Sequence, residues 1–116
     1  MNATVGRLKS MFDEEAKRLD SVRREANCDA LTGLANRNYF MARLREAAMA
    51  EDSIGGAVFI ARLAHLAEAN QMLGRDTTDD LLRAFGGTIE KTAGDFPEAL
   101  AARLNGADFA LLIPGL

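Results

Sequence analysis

The sequence predicts a mixed fold of the α/β (α+β) class, with one long helix leading into a helix-covered, mostly antiparallel sheet. Three observations predict it. Residues 1 to 28 carry apolar side chains at alternating three- and four-residue steps. Ala57-Val58-Phe59-Ile60-Ala61 is an unbroken apolar run. Asn105-Gly106 stands between two further apolar runs. These are the patterns of a helical seam, a buried strand and a hairpin.

The elements follow in order. Val5, Leu8, Phe12, Leu19, Val22 and Ala26 form an a/d seam in which Glu15 fills one slot. Asp13–Lys17, Glu14–Arg18 and Asp20–Arg24 are spaced as i,i+4 ion pairs on the same helix. Such a helix can lie on its own domain or join a second copy in a parallel coiled coil, and the seam favours the coiled coil. A polar segment from Asn27 to Asn36 follows. Asn36 or Asn38 can cap a second helix, whose apolar side is Phe40, Met41, Leu44 and Ala48. Glu51 to Gly56 reads as a loop. The run 57–61 then reads as a strand buried on both faces. Helical spacing resumes after His65 with Leu66, Ala69 and Leu73, and stops at Gly74. Thr77 or Thr78 can cap the next helix, which places Asp79 and Asp80 in its first turn. Leu81, Leu82, Phe85 and Ile89 are its expected buried stripe, and Gly94 and Pro97 close it. Ala99 to Leu104 and Phe109 to Ile113 are strands around Asn105-Gly106, a dipeptide suited to a type I′ turn because both central residues of that turn need positive φ.

Composition removes several function classes. The chain has 116 residues, 48% hydrophobic and 27% charged, which suits one compact domain. Residues 1 to 28 carry six Lys/Arg against five Asp/Glu, or +1; the remaining 14 − 6 = 8 against 17 − 5 = 12 give −4. An acidic body of that kind does not suit a nucleic acid polymer, which needs a clustered basic face. No apolar run is long enough to span a membrane. One histidine and one cysteine do not make a zinc framework, and Cys28 has no disulfide partner within the chain. Cys28 reads as a packing residue, and His65, read as having no carboxylate or second His nearby in sequence, as a surface or pocket-rim residue. Asp76, Asp79 and Asp80 lack the loop and closing Glu of a calcium site.

Asp29-Ala30-Leu31-Thr32-Gly33-Leu34-Ala35-Asn36-Arg37 resembles the D-x-L-T-G-L-x-N-R opening motif of GGDEF domains, the diguanylate cyclase family. The likeness continues through the strand, Asn70, the Gly74 turn and Asp79. It ends at Arg103-Leu104-Asn105-Gly106-Ala107-Asp108-Phe109, where the family carries its R-[apolar]-G-G-[DE]-E-F signature. The resemblance implies a division into a coiled-coil-like signalling helix, 1–28, and the N-terminal half of a palm-like GGDEF domain, 29–116. It also implies a reaction. Two GTP-loaded subunits meet, each 3′-hydroxyl attacks the other's α-phosphate, and carboxylates hold Mg²⁺ on the triphosphate.

This sequence departs from that pattern where the chemistry sits. The metal-binding Asp after the first strand falls on Arg62 and the next acidic position on Ala64. The metal-binding acid of the signature falls on Ala107, so the signature reads Asn105, Gly106, Ala107, Asp108, Phe109. Leu66-Ala67 stands where the family has Phe-Lys. Asp108, one methylene shorter than the family's Glu, is placed to pair with Arg62 across the sheet. A cation and a methyl group at metal positions repel or ignore Mg²⁺, so no metal and no cofactor is expected. Asn70 and Asp79 match guanine-reading positions and are a possible remnant of nucleotide binding, with GTP held weakly at best. The product-inhibition motif R-x-x-D falls on Phe96-Pro97-Glu98-Ala99 and is absent.

The resemblance therefore implies a catalytically inactive module that regulates or dimerises in cyclic di-GMP signalling, coupled to a downstream EAL domain and forming a homodimer through its helix. The start, Asn2 to Leu8, also resembles the exit of a HAMP segment, the layout of LapD-type HAMP–GGDEF–EAL receptors. On that reading the chain is the cytoplasmic part of an inner-membrane protein. Two alternatives stand beside it: an active diguanylate cyclase, which would need Mg²⁺, and a GTP-sensing module.

Overall fold

The computed structural model describes residues 3–50, 52 and 55–116, with residues 3–9 described by backbone alone. Seven elements follow one another: α1 (Ala3–Asn27), α2 (Arg37–Met49), β1 (Gly56–Arg62), α3 (Leu66–Leu73), α4 (Arg75–Ala93), β2 (Leu100–Arg103) and β3 (Asp108–Pro114). The strands form one antiparallel sheet in the order β1-β3-β2. The expected class, with a long helix ahead of a mostly antiparallel sheet, is the one observed.

Alternation along β3 divides the core into two layers. Phe109, Leu111 and Ile113 face α4, where they pack with Leu34, Leu82, Ala93 and Ala101. Ala110 and Leu112 face α2, where they meet Ala35, Phe40 and Ala102. Residues i and i+2 of a strand share a face, so the central strand feeds both layers. Phe109 is fully buried, and Phe85 meets its ring edge-on at 4.8 Å between centroids.

Several local expectations hold. Asn36 caps α2, its side chain accepting the Tyr39 N–H at 2.9 Å. Gly74 ends α3 at φ +85°, a conformation that strains any residue with a Cβ, and Gly94 follows α4. Others are corrected. α4 is capped by Gly74, three to four residues before the expected Thr77/Thr78 cap. Thr78 is instead buried one turn in, and its hydroxyl donates to the Gly74 carbonyl at 2.9 Å. Asp76, not Asp79 or Asp80, occupies the first turn. The buried stripe of α4 runs through Thr78, Leu82, Gly86 and Ala93, while Leu81 is exposed because it falls about 100° round from Leu82. On α2 the stripe follows Phe40, Leu44 and Ala47, and Ala48 is exposed. The Asn105-Gly106 hairpin forms, but neither residue has positive φ. The connection is wider than a type I′ turn, closing with Leu104 N–H donating to Asp108 O at 2.8 Å. The expected 51–56 loop falls partly outside the described residues, and Gly56 already belongs to β1.

Two departures bear on function. β1 is not buried on both faces. It is an edge strand paired only with β3 among the described residues, and Val58, Phe59 and Ile60 are 42%, 51% and 66% exposed. On α1, Phe12, Leu19, Val22 and Ala26 of the seam are exposed, with Phe12 at 71%. The side chains of Val5 and Leu8 lie outside the described residues. The seam does not lie on its own domain along the described part. Its charged slot is partly neutralised, since Glu15 pairs with Arg18 at 2.6 Å where Glu14–Arg18 was expected, and Asp20–Arg24 forms at 3.1 Å.

The core accounts for one direct test. Phe109→Ala is expected to cost about 3–5 kcal/mol in urea or thermal unfolding, whereas Ile60→Ala, at a two-thirds-exposed site, is expected to move stability by no more than about 0.5 kcal/mol.

Candidate functional site

The segment between α1 and α2 is built as a joint. Asp29 closes a turn on itself: its Oδ2 accepts the Thr32 backbone N–H at 2.9 Å and the Thr32 hydroxyl at 2.8 Å. The turn passes through Gly33 at φ +75° and closes with Gly33 N–H donating to Asp29 O. Leu34 then drops into the α4 layer and Ala35 into the α2 layer. Ala35 pairs with the outer edge of β2, donating to Ala101 O at 3.2 Å and accepting from Arg103 N–H at 2.9 Å. Asn36 works in both directions. Its Oδ1 caps α2, and its Nδ2 donates to the Ala26 carbonyl in the last turn of α1 at 2.7 Å. One side chain thus ties the end of α1 to the start of α2.

The joint is bound to the sheet by charge. Arg103, at the end of β2, places Nη1 at 3.2 and 3.3 Å from the two Asp29 carboxylate oxygens. Its Nη2 donates to the Gly106 carbonyl at 2.9 Å. One guanidinium therefore holds both the helix exit and the hairpin loop. Arg103 and Asp29 side chains are only 14% and 22% exposed, so this pair is worth more than a surface ion pair. Burial alone would push the Asp29 carboxyl up, but the Thr32 and Arg103 hydrogen bonds outweigh it and hold the pKa below its ordinary value.

A second ion pair closes the same end of the sheet from the β1 side. The β1–β3 register places Arg62 opposite Asp108, and Nε and Nη2 reach the two carboxylate oxygens at 2.6 and 3.1 Å. This is the pairing expected across the sheet. The Arg62 hydrogen bond is the main cause holding the Asp108 carboxyl below its ordinary range. Ala107 precedes Asp108 in the hairpin loop and its carbonyl accepts from Leu63 N–H at 2.9 Å. A guanidinium, a methyl group and one carboxylate already gripped at both oxygens do not make a donor set for Mg²⁺, which takes hard oxygen ligands. Among the described residues no three His, Cys, Asp or Glu side chains gather closely enough to hold a metal ion.

Asn70 and Asp79 sit on α3 and α4, either side of the Gly74 turn, with Asn70 exposed and Asp79 half-buried. No hydrogen bond joins their side chains among the described residues. His65 is exposed as expected, but it does meet a carboxylate: its Nδ1 lies 2.6 Å from Glu68 Oε2, one turn along. Phe96 and Ala99, where the inhibition motif would fall, line a cleft of about 590 Å³ between the last turns of α1 and the end of α4. Arg23, Arg24 and Glu90 also face it, and sequence reasoning did not anticipate this cleft because α1 and α4 are far apart in the chain.

With the geometry established, the comparisons are decisive for the family. Residues 26–116 match the model of the "Diguanylate cyclase, GGDEF domain" family. The chain belongs to the GGDEF family. It is therefore related to the diguanylate cyclases and to cyclic di-GMP signalling. An uncharacterized protein in the hutH 5′ region of Streptomyces griseus is 39% identical over 103 residues, 87% of this chain and 43% of that protein. The S helix–GGDEF–EAL structure of Vibrio cholerae LapD, bound to c-di-GMP, superposes with a TM-score of 0.81 at 25% identity, over 90% of this chain and 25% of that one. The coiled coil and GGDEF domain of Caulobacter crescentus DgcB, also in complex with c-di-GMP, gives 0.77 at 32% identity, over 98% of this chain and 60% of that one. The chain spans less than two thirds of each of these relatives. Both solved relatives carry a helix ahead of their GGDEF domain, as α1 precedes this one.

The joint predicts an acid dependence. The folded state binds the Asp29 and Asp108 protons more weakly than the unfolded chain, so their contribution is complete above the ordinary carboxylate pKa of about 3.8. It is lost as pH falls through that value and below. Urea unfolding should be level from about pH 5 upward on this account and weaken progressively toward pH 2. Asp29→Asn is expected to flatten that slope and to cost roughly 1.5–3 kcal/mol at pH 7.

Proposed function

We propose that this chain is a catalytically inactive GGDEF module that relays the state of its N-terminal helix to a neighbouring domain. The observation that carries the proposal is the Arg62–Asp108 pair. A positive charge holds the one signature carboxylate at a position where the family places an acid for Mg²⁺, and Ala107 replaces the second acid. Phosphoryl transfer between two triphosphates needs that charge neutralised by metal. Asn70 and Asp79 then stand as a remnant of guanine recognition without the metal that would anchor the phosphates.

The relay runs through the joint. Residues 1–28 form the transmitting helix and residues 29–116 the N-terminal half of the GGDEF domain. Homodimerisation through Phe12, Leu19, Val22 and Ala26, continued toward Val5 and Leu8, would cover the apolar stripe that the domain leaves open. The likeness to the S helix–GGDEF–EAL arrangement of LapD supports an EAL domain downstream in the parent protein. The resemblance of residues 2–8 to the exit of a HAMP segment supports a HAMP segment upstream and a cytoplasmic place for this module in an inner-membrane receptor. No helix among the described residues is long and apolar enough to cross a membrane. A two-state packing at the helix, biased from upstream, would then be read out by the neighbouring domain.

Calorimetric titration of the chain with GTP tests the absence of a metal site. Any binding is expected to be indifferent to Mg²⁺, whereas Arg62→Asp combined with Ala107→Asp should introduce a Mg²⁺-dependent heat. Tight, Mg²⁺-dependent GTP binding by the unaltered chain would favour the cyclase or sensor readings instead. The helix is tested separately by sedimentation: Leu19→Asp, which places a charge in the seam, is expected to shift the chain toward monomer without unfolding the domain.

A further inference from the structure

The apolar seam of α1 carries one charged residue, and it lies in the middle. Glu15 fills the heptad slot between Phe12 and Leu19, with no other Asp, Glu, Lys or Arg at the seam positions from Val5 to Ala26. From Phe12 to Val22 the seam is clear of its own domain. α1 meets that domain through its last turns, where Arg23, Arg24 and Asn27 line the cleft and the Ala26 carbonyl accepts from Asn36, whereas Phe12, Leu19 and Val22 are exposed. Glu15 is turned along its own helix, its Oε1 accepting from Arg18 Nη2 at 2.6 Å, in a pair whose two side chains are each more than half exposed. The positions flanking the seam offer no other selection. In a parallel pair of helices g faces e of the second copy, which sets Thr4 against Lys9, Met11 against Ala16 and Arg18 against Arg23. None of these is an ion pair of opposite charge, and the last is a pair of like charges. In the structure Arg18 turns to Glu15, and Arg23 lines the cleft that Glu90 also faces.

We propose that Glu15 sets the register and limits the strength of the α1 dimer: two copies associate in parallel and in register, with both carboxylates in one layer. This rests on the homodimer reading given above. Every other alignment spoils more of the seam. In an antiparallel pair a faces d, which sets Glu15 against Val5, Phe12, Leu19 or Ala26 of the second copy. A parallel pair slipped by one heptad sets it against Leu8 or Val22. In each case both copies bury a carboxylate against an apolar side chain, so two layers are lost. In register only one is lost, because the two carboxylates share it and each keeps Arg18 of its own helix. A single polar layer of this kind specifies register and oligomeric state at a cost in stability. Two carboxylates leave water and face one another, and the exposed Arg18 pairs offset little of that. A seam filled by an apolar residue at this slot would hold the helices together. The charged layer leaves them free to separate, as a transmitting helix requires.

Sedimentation equilibrium on the full chain reads the strength of the contact. Glu15→Leu is expected to tighten the dimer by about tenfold or more, because an apolar side chain replaces a buried charge on each copy. Arg18→Ala should weaken the dimer while Glu15 is present, since each carboxylate loses its counter-charge. In the Glu15→Leu chain the same change should not weaken it, because Arg18 then faces only Arg23 of the second copy. Register is read by cross-linking in a Cys28→Ser background, at a concentration where the dimer prevails. Val22→Cys should form an interchain disulfide on mild oxidation, since in register each copy of this position faces the other. A dimer that Val22→Cys fails to cross-link would overturn the register. Equal association of the unaltered and Glu15→Leu chains, or equal weakening of both by Arg18→Ala, would overturn the role of Glu15 and leave the homodimer reading intact. A chain that stays monomeric even with Glu15→Leu would overturn both.

Discussion

The structure depends on one guanidinium. Arg103 holds the Asp29 carboxylate on one side and the Gly106 carbonyl on the other, and so joins three parts of the chain that are distant in sequence. Without it the helix exit would meet the sheet through the Ala35 bridge and the Leu31, Leu34 and Ala35 side chains. The pair is mostly shielded from solvent and its carboxylate is already ordered by Thr32, so little conformational entropy is lost in making it. Asn36 completes the constraint from the helix side. Its two hydrogen bonds fix α1 relative to α2, and α2 lies on the sheet. On the proposed reading, a rotation or separation of α1 would be transmitted through these bonds to the sheet and its hairpin.

The two ion pairs of the sheet divide the work. Asp29–Arg103 ties the helix to the hairpin from the β2 side, and Arg62–Asp108 pins the other side of the same hairpin to β1. The hairpin loop between them is the segment in which the family carries its signature. In this chain that loop is anchored at both ends by protein charges, Arg103 on the β2 side and the Arg62–Asp108 pair on the β1 side. An anchored loop of this kind suits a module that conveys conformation better than one that binds and releases nucleotides, which is the physical basis of the functional proposal.

Much of this was legible in the sequence. The D-x-L-T-G-L-x-N-R segment pointed to the family, the hydrophobic periods to every helix and strand, and the family positions on which Arg62 and Asp108 fall to their pairing. What the sequence concealed is mostly a matter of long range or of edges. Arg103 and Asp29 are 74 positions apart, and no local pattern reports their contact. The run 57–61 reads as fully buried because its composition is that of a central strand; among the described residues only β3 pairs with β1, and Val58, Phe59 and Ile60 are exposed. The turn at Asn105-Gly106 is wider than the two-residue form, with neither residue at positive φ and the Gly106 carbonyl held by Arg103 Nη2, a contact no local pattern reports. The start of α4 was misplaced because a Gly at positive φ opened the helix directly, leaving Thr78 free to bond back to Gly74 from within the helix.

Transmission from helix to hairpin is the central claim, and hydrogen exchange on the full chain tests it most directly. Amide protection at residues 32–36 and 103–108 would be compared between the unaltered chain and Leu19→Asp, which disturbs only the seam. The account predicts that protection falls in both segments while that of β3 at residues 110–112 stays constant. Unchanged protection at residues 32–36 and 103–108, in a variant whose helix association has been lost, would contradict it.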